Sequence, residues 1–438
     1  MVLHHRILLG LILGAICGVL VNIAAGEALW VDALNSYVAG PVGQIFLRLL
    51  MMVVVPLVFA TLALGVARLG DLGKIGRLGA RTLVYFLLTT TLAVGLGLFL
   101  ANSVEPGAGI TPETAAELLD TYRGQANLRL EASAARDFGI DTFVNIVPRN
   151  PVQAAADMQM LPLIFFSLMF GIALTMIPAA KARGMMDFLE GLAGVVTKLI
   201  ELAMKLAPYG VFALIFVVTS RFGWNVLGTL GLYAATVLLG LAIHAAVTLS
   251  LLLRFAAGIR PRRFWGHVRE AVITAFSTSS SNATLPTSLL VAERNLGVPP
   301  QVAGFVLPLG ATMNMNGTAL FEGITMLFVA QVFGVDLTLS QQLVVVILSI
   351  LTAVGAAGVP GGSIPLLMVL AASVGIPGEG IAIIIGIDRI LDMARTVVNV
   401  SGDLTATCVV ARYEGVWDAQ RADPSGHAPV ALEAKDDV

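Results

Sequence analysis

The residues best placed to do chemistry lie in the last apolar run of the chain. Asp388, Asp392, Arg395, Asn399 and Asp403 are spaced 4, 3, 4 and 4 positions apart. At 3.6 residues per turn this spacing keeps all five within a narrow arc of one helix face. The intervening Ile390, Leu391, Val397 and Val398 are apolar. A charge at the centre of a bilayer costs about 2.5–3.5 kcal/mol on insertion scales, so five polar groups on one face need a common purpose. An Asp392–Arg395 pair that fixes helix packing accounts for two of them and leaves Asp388 and Asp403 uncompensated. Three carboxylates against one guanidinium carry excess negative charge, which a bound cation relieves. Arg389 falls about 100° off this face, and the spacing assigns it no role.

Three polar interruptions of apolar sequence lie upstream. The first reads Ser277-Thr278-Ser279-Ser280-Ser281-Asn282-Ala283-Thr284-Leu285-Pro286. The second is Gly310-Ala311-Thr312-Met313-Asn314-Met315-Asn316-Gly317-Thr318, and the third Gly355-Ala356-Ala357-Gly358-Val359-Pro360-Gly361-Gly362-Ser363. Irregular backbone at membrane depth is tolerated only where protein buries it or it lines a cavity. A half-helix starting at such a break directs N–H groups and a positive dipole end at an anion. Asparagines and a glycine in mid-membrane unwind a helix and offer carbonyl oxygens, hard ligands for a small cation. Either outer break alone is equally well an ordinary Gly/Ser kink. Two of them bracketing another broken run favour half-helices at a binding site. Glu322, one turn beyond Thr318, is an intramembrane carboxylate and a functional candidate on that ground; a protonated structural hydrogen bond is the competing account. No lysine follows the glycines, as a nucleotide-binding loop requires.

The elements that carry these residues must be membrane helices. Of 438 residues 57% are hydrophobic and 12% charged, whereas a soluble domain carries about 25% charged residues. A water-soluble protein is excluded, and so is disorder, which needs low hydrophobicity and high charge. A formal net charge of −2 supplies no basic field for nucleic acid. Cys17 and Cys408, both in apolar stretches, make no disulfide framework. Apolar runs long enough to cross a bilayer fall at 7–25, 42–67, 82–104, 161–179, 206–220, 226–253, 302–333 and 380–411. Interrupted segments lie at 271–291 and 343–371. The first run exceeds the roughly 7–15 residues of a signal core and reads as a retained helix. In it Gly10, Gly14 and Gly18 permit close helix packing, with lipid-facing flexibility as the alternative.

Loop charge sets the direction of these spans. Arg68, Lys74, Arg77 and Arg81 follow the second run, and Arg254, Arg260, Arg262, Arg263 and Arg269 follow the sixth, so both loops are expected in the cytoplasm. The stretch 105–160, with eight acids against four arginines, belongs outside. Eight crossings then place both termini in the cytoplasm, provided each interrupted segment enters and returns on one side. The polar tail from Tyr413 reads as a loose end. Glycosylation triplets at Asn282, Asn316 and Asn399 sit at membrane depth and are discounted. No metal-ligand spacing of His or Cys and no hydrolase nucleophile motif appears, which argues against an enzyme.

Together these motifs resemble the dicarboxylate/amino acid:cation symporter family, which includes archaeal aspartate transporters and the mammalian excitatory amino acid transporters. The likeness runs from about residue 5 to 415. It rests on residues 279–286, Asn314-Met315-Asn316-Gly317-Thr318, Gly358-Val359-Pro360-Gly361-Gly362, and Asp392-Met393-Ala394-Arg395-Thr396 with Asn399 and Asp403. It implies an all-α polytopic membrane protein with eight transmembrane helices plus two re-entrant helical hairpins, built as inverted repeats. It further implies a homotrimer in the plasma (inner) membrane whose scaffold holds a transport domain that moves as an elevator. On this chain the scaffold is 1–72 (helices 1 and 2) and 161–222 (helices 4 and 5). The transport domain is 73–104 (helix 3) and 223–412 (helix 6, hairpin 1, helix 7, hairpin 2 and helix 8). An extracellular loop covers 105–160 and a cytoplasmic tail 413–438.

The resemblance also implies residue roles. Arg395 matches the arginine that receives the substrate side-chain carboxylate, for which its planar fork is suited. Asp392 matches the aspartate that holds the ammonium. Ser280, Ser281 and Asn399 would hold the α-carboxylate, with Thr318 and Thr396 positioning the ligand. Val359, Gly362 and Ser363 belong to the tip of the second hairpin, the external gate. One sodium site would comprise Gly310, Asn314, Asn399 and Asp403, and a second the backbone near Thr312, Ala353, Val354 and Ala356. A third is weakened, because Asn316 replaces an aspartate and Phe86 a tyrosine, leaving Thr89, Thr90 and Asn314 to rebuild it in part. Glu322 matches a proton-carrying glutamate of the excitatory amino acid transporters, which adds protons to sodium as coupling ions. Neither Ser279 nor Met393 is the extra arginine that relatives place at one of these positions, and Ser363 stands for a small gate glycine.

The expected function is therefore secondary active uptake of L-aspartate or L-glutamate, with no organic cofactor. Asp392 beside Arg395 favours an acidic amino acid, since a dicarboxylate has no amine and a neutral amino acid no second carboxylate. C4-dicarboxylate or neutral amino acid symport on the same fold, and a substrate-independent anion channel, are the rivals.

Overall fold

The computed structural model describes residues 3–25, 28–70, 77–109, 147–157, 159–355, 358, 360–376 and 378–417. Every regular element among the described residues is helical, as the bilayer demands of a chain whose backbone polar groups must be satisfied within each segment. The chain opens with α1 (Leu3–Ala25), α2 (Leu29–Leu34), a π-helical turn (Asn35–Ala39), α3 (Gly40–Met51) and α4 (Val54–Gly70). The second helix unit thus begins well before the expected residue 42. It breaks at Met52 and Val53, where Pro56 cannot supply the N–H that would bond the Met52 carbonyl. There follow α5 (Arg77–Val104), α6 (Pro151–Ala156), α7 (Met160–Met176) and α8 (Ala179–Phe222).

The 44-residue α8 far exceeds the expected 206–220. Ala182, Leu189, Val196, Ile200, Ala203, Ala207 and Val211 are buried on one stripe, while Lys181, Arg183, Asp187, Lys198, Glu201 and Lys205 are exposed on the others. Charges on the outer faces of its first half hide that half from a reading by apolar content, although its heptad-like period is plain. α1 lies along α8, and α3 and α4 pack on it as well. Gly10, Gly14 and Gly18 face α8: a Cβ at Gly14 would lie 2.6 Å from the Phe212 carbonyl oxygen, and one at Gly18 2.9 Å from that of Phe216. The stripe is a helix contact rather than a lipid-facing one. Gly14→Val should cost about 1–3 kcal/mol by overpacking and lower the thermal unfolding midpoint of the solubilised protein. An unchanged midpoint would mean that the two backbones do not touch.

The second half gathers on one long helix. α9 (Trp224–Ile243) continues through π-helical turns (His244–Leu249 and Leu253–Ala257) to α10 (Pro261–His267). Next come α11 (Arg269–Thr278), α12 (Ser281–Leu290), α13 (Pro300–Met313), α14 (Asn316–Val332), α15 (Leu339–Gly355), α16 (Ile364–Ser373) and α17 (Ala382–Tyr413). α9, α11, α13 and α14 all pack against α17, and α5 lies along α14. All three polar interruptions break helices. α11 and α12, of 10 residues each, pack on one another and meet at Ser279 and Ser280. Each is roughly 15 Å long, half the thickness of a bilayer core. Asn314 and Met315 separate α13 from α14, and a turn through 360–363 precedes α16.

Five described stretches are long and apolar enough to cross a membrane: His5–Ala25, Leu29–Leu64, Arg77–Val104, Ala179–Arg221 and Leu227–Ala257. The other expected spans correspond to the 17-residue α7, the broken pair α13 and α14, and the 32-residue α17 with its charged stripe. The end of α17 is not loose as far as it is described. Arg81 donates to the Tyr413 carbonyl and, at 2.7 Å, to Glu414, and the Trp417 indole donates to the Leu296 carbonyl at 2.8 Å. Residues 418–438 lie outside the described residues.

Candidate substrate and cation site

The stripe of α17 faces inward: Asp388, Asp392, Arg395, Asn399 and Asp403 are all buried, Arg395 with 1% exposure. Arg395 Nη2 reaches Asp392 Oδ1 at 2.8 Å and Asp388 Oδ1 at 3.0 Å. Asp388 is therefore compensated, contrary to the expectation from spacing, because one extended arginine spans both preceding turns of its own face. The guanidinium stacks on Phe321, 3.8 Å from the ring centroid, and its Nε and Nη1 have no hydrogen-bond partner among the described residues. These two donors of a rigid fork are what a planar carboxylate needs for bidentate binding. Asp392 Oδ2 accepts the Gly361 N–H at 3.1 Å and lies 3.7 Å from Arg389 Nη1. Arg389, unassigned in the sequence, thus leans towards the same carboxylate.

The two outer breaks meet. Ser280 Oγ accepts the Ala283 N–H at 3.1 Å, capping α12, and donates to the Gly358 carbonyl at 2.5 Å. The Asn282 N–H donates to that carbonyl at 3.3 Å. A Cβ at Gly358 would lie 2.8 Å from the Ala311 carbonyl oxygen, so only glycine allows this approach of the tips to the middle break. Ser281, Gly362 and Ser363 are buried, and the hydroxyls of Ser279 and Ser363 have no hydrogen-bond partner among the described residues. Thr396 donates to its own helix at the Asp392 carbonyl, 2.8 Å away. Val359 and Ala356 lie outside the described residues.

The α13–α14 break is held by amides and hydroxyls. Asn399 Oδ1 accepts the Gly317 N–H at 2.8 Å and the Thr318 N–H at 3.4 Å, and its Nδ2 donates to Thr318 Oγ1 at 3.2 Å. Asn399 thereby satisfies donors at the start of α14 that the helix itself cannot. Asn314 Nδ2 donates to Asp403 Oδ1 at 2.9 Å. A Cβ at Gly310 would lie 2.5 Å from the same oxygen, so α13 presses its backbone onto the carboxylate. Asp403 makes no ion pair among the described residues, unlike Asp388 and Asp392. A buried carboxylate with no cation paired to it among the described residues, pressed by the Gly310 backbone and met by the Asn314 amide, is a group whose charge a hard monovalent ion would relieve. Thr89 and Thr90 donate to Asn314 Oδ1 at 3.4 Å and to Asn316 Oδ1 at 3.1 Å, respectively. Thr312 donates to Leu309 of its own helix at 3.0 Å, and α13 packs on α15, which carries the buried Ala353 and half-buried Val354. Glu322 is fully buried; its Oε2 accepts from Thr352 Oγ1 at 2.8 Å and its Oε1 has no hydrogen-bond partner among the described residues.

Sequence reasoning missed several groups here. Phe321, which nothing local marks, stacks on Arg395 from α14, and the Gly361 N–H reaches Asp392 from the third interruption, where the sequence signals a break but not this contact. Beside the buried Phe86, the Tyr85 hydroxyl is buried without a hydrogen-bond partner among the described residues, and so are both ring nitrogens of His244. A lone polar aromatic within an apolar run was the available signal for each.

Comparison with known proteins places this geometry in context. A profile of the sodium:dicarboxylate symporter family matches residues 3–413. The chain is 37% identical over 428 residues to a proton/sodium-glutamate symport protein of Bacillus subtilis, covering 96% of this chain and 95% of that one. It is 36% identical to a proton/glutamate-aspartate symporter of Escherichia coli, over 96% of this chain and 94% of the relative. A C4-dicarboxylate transport protein of Anaeromyxobacter dehalogenans is 34% identical over 99% of this chain and 95% of its own.

Proposed function

The chain belongs to the sodium:dicarboxylate symporter family, a multi-pass membrane symporter and not an enzyme, and from that premise we propose that it takes up L-aspartate or L-glutamate with sodium and protons. The observation that carries this reading is the pair of unpartnered Arg395 donors beside the Asp392 carboxylate, beneath tips that meet at Gly358. Arg395 grips the side-chain carboxylate, Asp392 the ammonium, and Ser280, Ser281 and Asn399 the α-carboxylate, with Thr318 and Thr396 at its edge. Val359, Gly362 and Ser363 close over it.

Sodium occupies the Gly310, Asn314, Asn399 and Asp403 cluster, and a second ion the backbone near Thr312, Ala353, Val354 and Ala356. An amide at Asn316 removes the carboxylate that a third ion at Thr89 and Thr90 would need, and Glu322 carries a proton instead. A ligand shifts an equilibrium only by its differential affinity for two states. Coupling follows if sodium orders the Asn314 break that Asn399 shares with the substrate. Eight crossings with two re-entrant hairpins, built as inverted repeats, place both termini in the cytoplasm. In the inner membrane three copies assemble, and residues 73–104 and 223–412 of each move as an elevator against its scaffold.

The test is uptake by proteoliposomes of the full chain. An inward sodium gradient should drive saturable L-aspartate accumulation, lost when choline replaces sodium at constant pH. Uptake that ignores sodium and follows a pH gradient would leave protons as the driving ion. Substrate-independent anion current without saturable uptake would turn the reading to a channel.

A further inference from the structure

Asp388, Arg389, Asp392 and Arg395 occupy two turns of α17, and their formal charges cancel. Asp392 is already served on both oxygens: Oδ1 by Arg395 Nη2 at 2.8 Å, and Oδ2 by the Gly361 N–H at 3.1 Å and Arg389 Nη1 at 3.7 Å. An arriving ammonium competes with these three for the carboxylate's charge and its remaining lone pairs. Arg395 is held from two sides by Asp388 and Phe321, and the Gly361 N–H is fixed in its turn. The longest and weakest contact is that of Arg389, whose Nε has no hydrogen-bond partner among the described residues. Arg389 lines a small crevice with Asp388 and Asp392, faced by Ile7 of α1, Phe46 of α3 and Met204 and Val211 of α8. A guanidinium pushed off Asp392 meets that apolar wall, where an unpaired charge is costly.

We propose that Arg389 is a specificity-determining residue that holds the place of the substrate ammonium on Asp392 and so sets the balance between acidic amino acids and plain dicarboxylates. The ammonium of an amino acid has to compete with it for Asp392. A dicarboxylate, having no amine, leaves the pair intact and keeps the cluster neutral. Without Arg389 the cluster carries one net negative charge, which attracts the ammonium and repels a dianion; specificity here comes from a built-in competitor as much as from attraction. The inference deepens the acidic-amino-acid reading and rests on it.

Unaltered chain, Arg389→Gln and Arg389→Lys are compared in proteoliposomes by sodium-driven L-aspartate uptake titrated with succinate. In Arg389→Gln the ratio of the succinate inhibition constant to the aspartate KM should rise about tenfold. In Arg389→Lys, which keeps the charge, it should move by no more than about threefold. A ratio unmoved in Arg389→Gln, or moved equally in both variants, would overturn the role. If Arg389→Gln cannot be recovered, Arg389→Met keeps the apolar stem and supplies the same comparison. An unaltered chain that binds succinate but takes up no aspartate would sink the amino-acid reading by itself. The role of Arg389 would then stand on gain of aspartate uptake in Arg389→Gln, and fall without it.

Discussion

Arg395→Ala should abolish saturable uptake of aspartate and glutamate. Truncating one member of a buried, hydrogen-bonded charge pair costs about 2–5 kcal/mol, and here one side chain serves two carboxylates and an aromatic face. The substrate loses the fork formed by Nε and Nη1, and Asp388 and Asp392 are left facing each other. A fall of about hundredfold or more in uptake at low substrate is the expected size. Because the alanine variant also strands buried charge, Arg395→Lys separates binding from folding. It keeps a cation near both aspartates but replaces a planar fork by a point charge. The lysine variant should elute as the unaltered protein does and still transport poorly. Glutamate affinity unchanged in Arg395→Lys would refute the assigned role.

Asp403→Asn should act on the ion rather than on the amino acid. The change keeps the shape, and the new amide oxygen can still accept from Asn314 Nδ2. What disappears is the one formal charge of the proposed sodium cluster, and cation affinity follows the charge of the ligand set. The sodium concentration for half-maximal uptake should rise at least about tenfold, with each tenfold worth about 1.4 kcal/mol. Stability gives a second readout. A ligand that binds only the folded state raises its unfolding midpoint, so sodium should stabilise the unaltered protein and leave Asp403→Asn unmoved. In sodium-free buffer the variant should be no less stable, since a buried unpaired carboxylate has been removed. Retention of the sodium-induced shift would take Asp403 out of the site.

Much of this site could be read from the chain before its structure was known. The breaks at Ser279-Ser280, Asn314-Met315 and 360–363 announce themselves because serine, asparagine, glycine and proline interrupt otherwise apolar sequence, and helices do not survive that. The α17 stripe follows from a period of 3.6 alone. What could not be read are choices made between distant parts. Arg395 could have paired with Asp392 only; in the fold it also reaches back to Asp388 and lies against Phe321 of α14. The docking of Ser280 on Gly358 joins residues 78 positions apart and has no local signature. The length of α8 was legible in principle from buried positions at 182, 189, 196 and 200, but only to a search for period rather than for apolar content.

One carbonyl, that of Gly358, receives both the Ser280 hydroxyl and the Asn282 amide. Whichever strand of this latch swings away, the first turn of α12 is left with two hydrogens aimed at nothing. Water can answer them, and so can an incoming anion with two oxygens. Cargo and closure therefore compete for one pair of donors, and the door cannot be fully shut on itself and on its passenger by the same bonds.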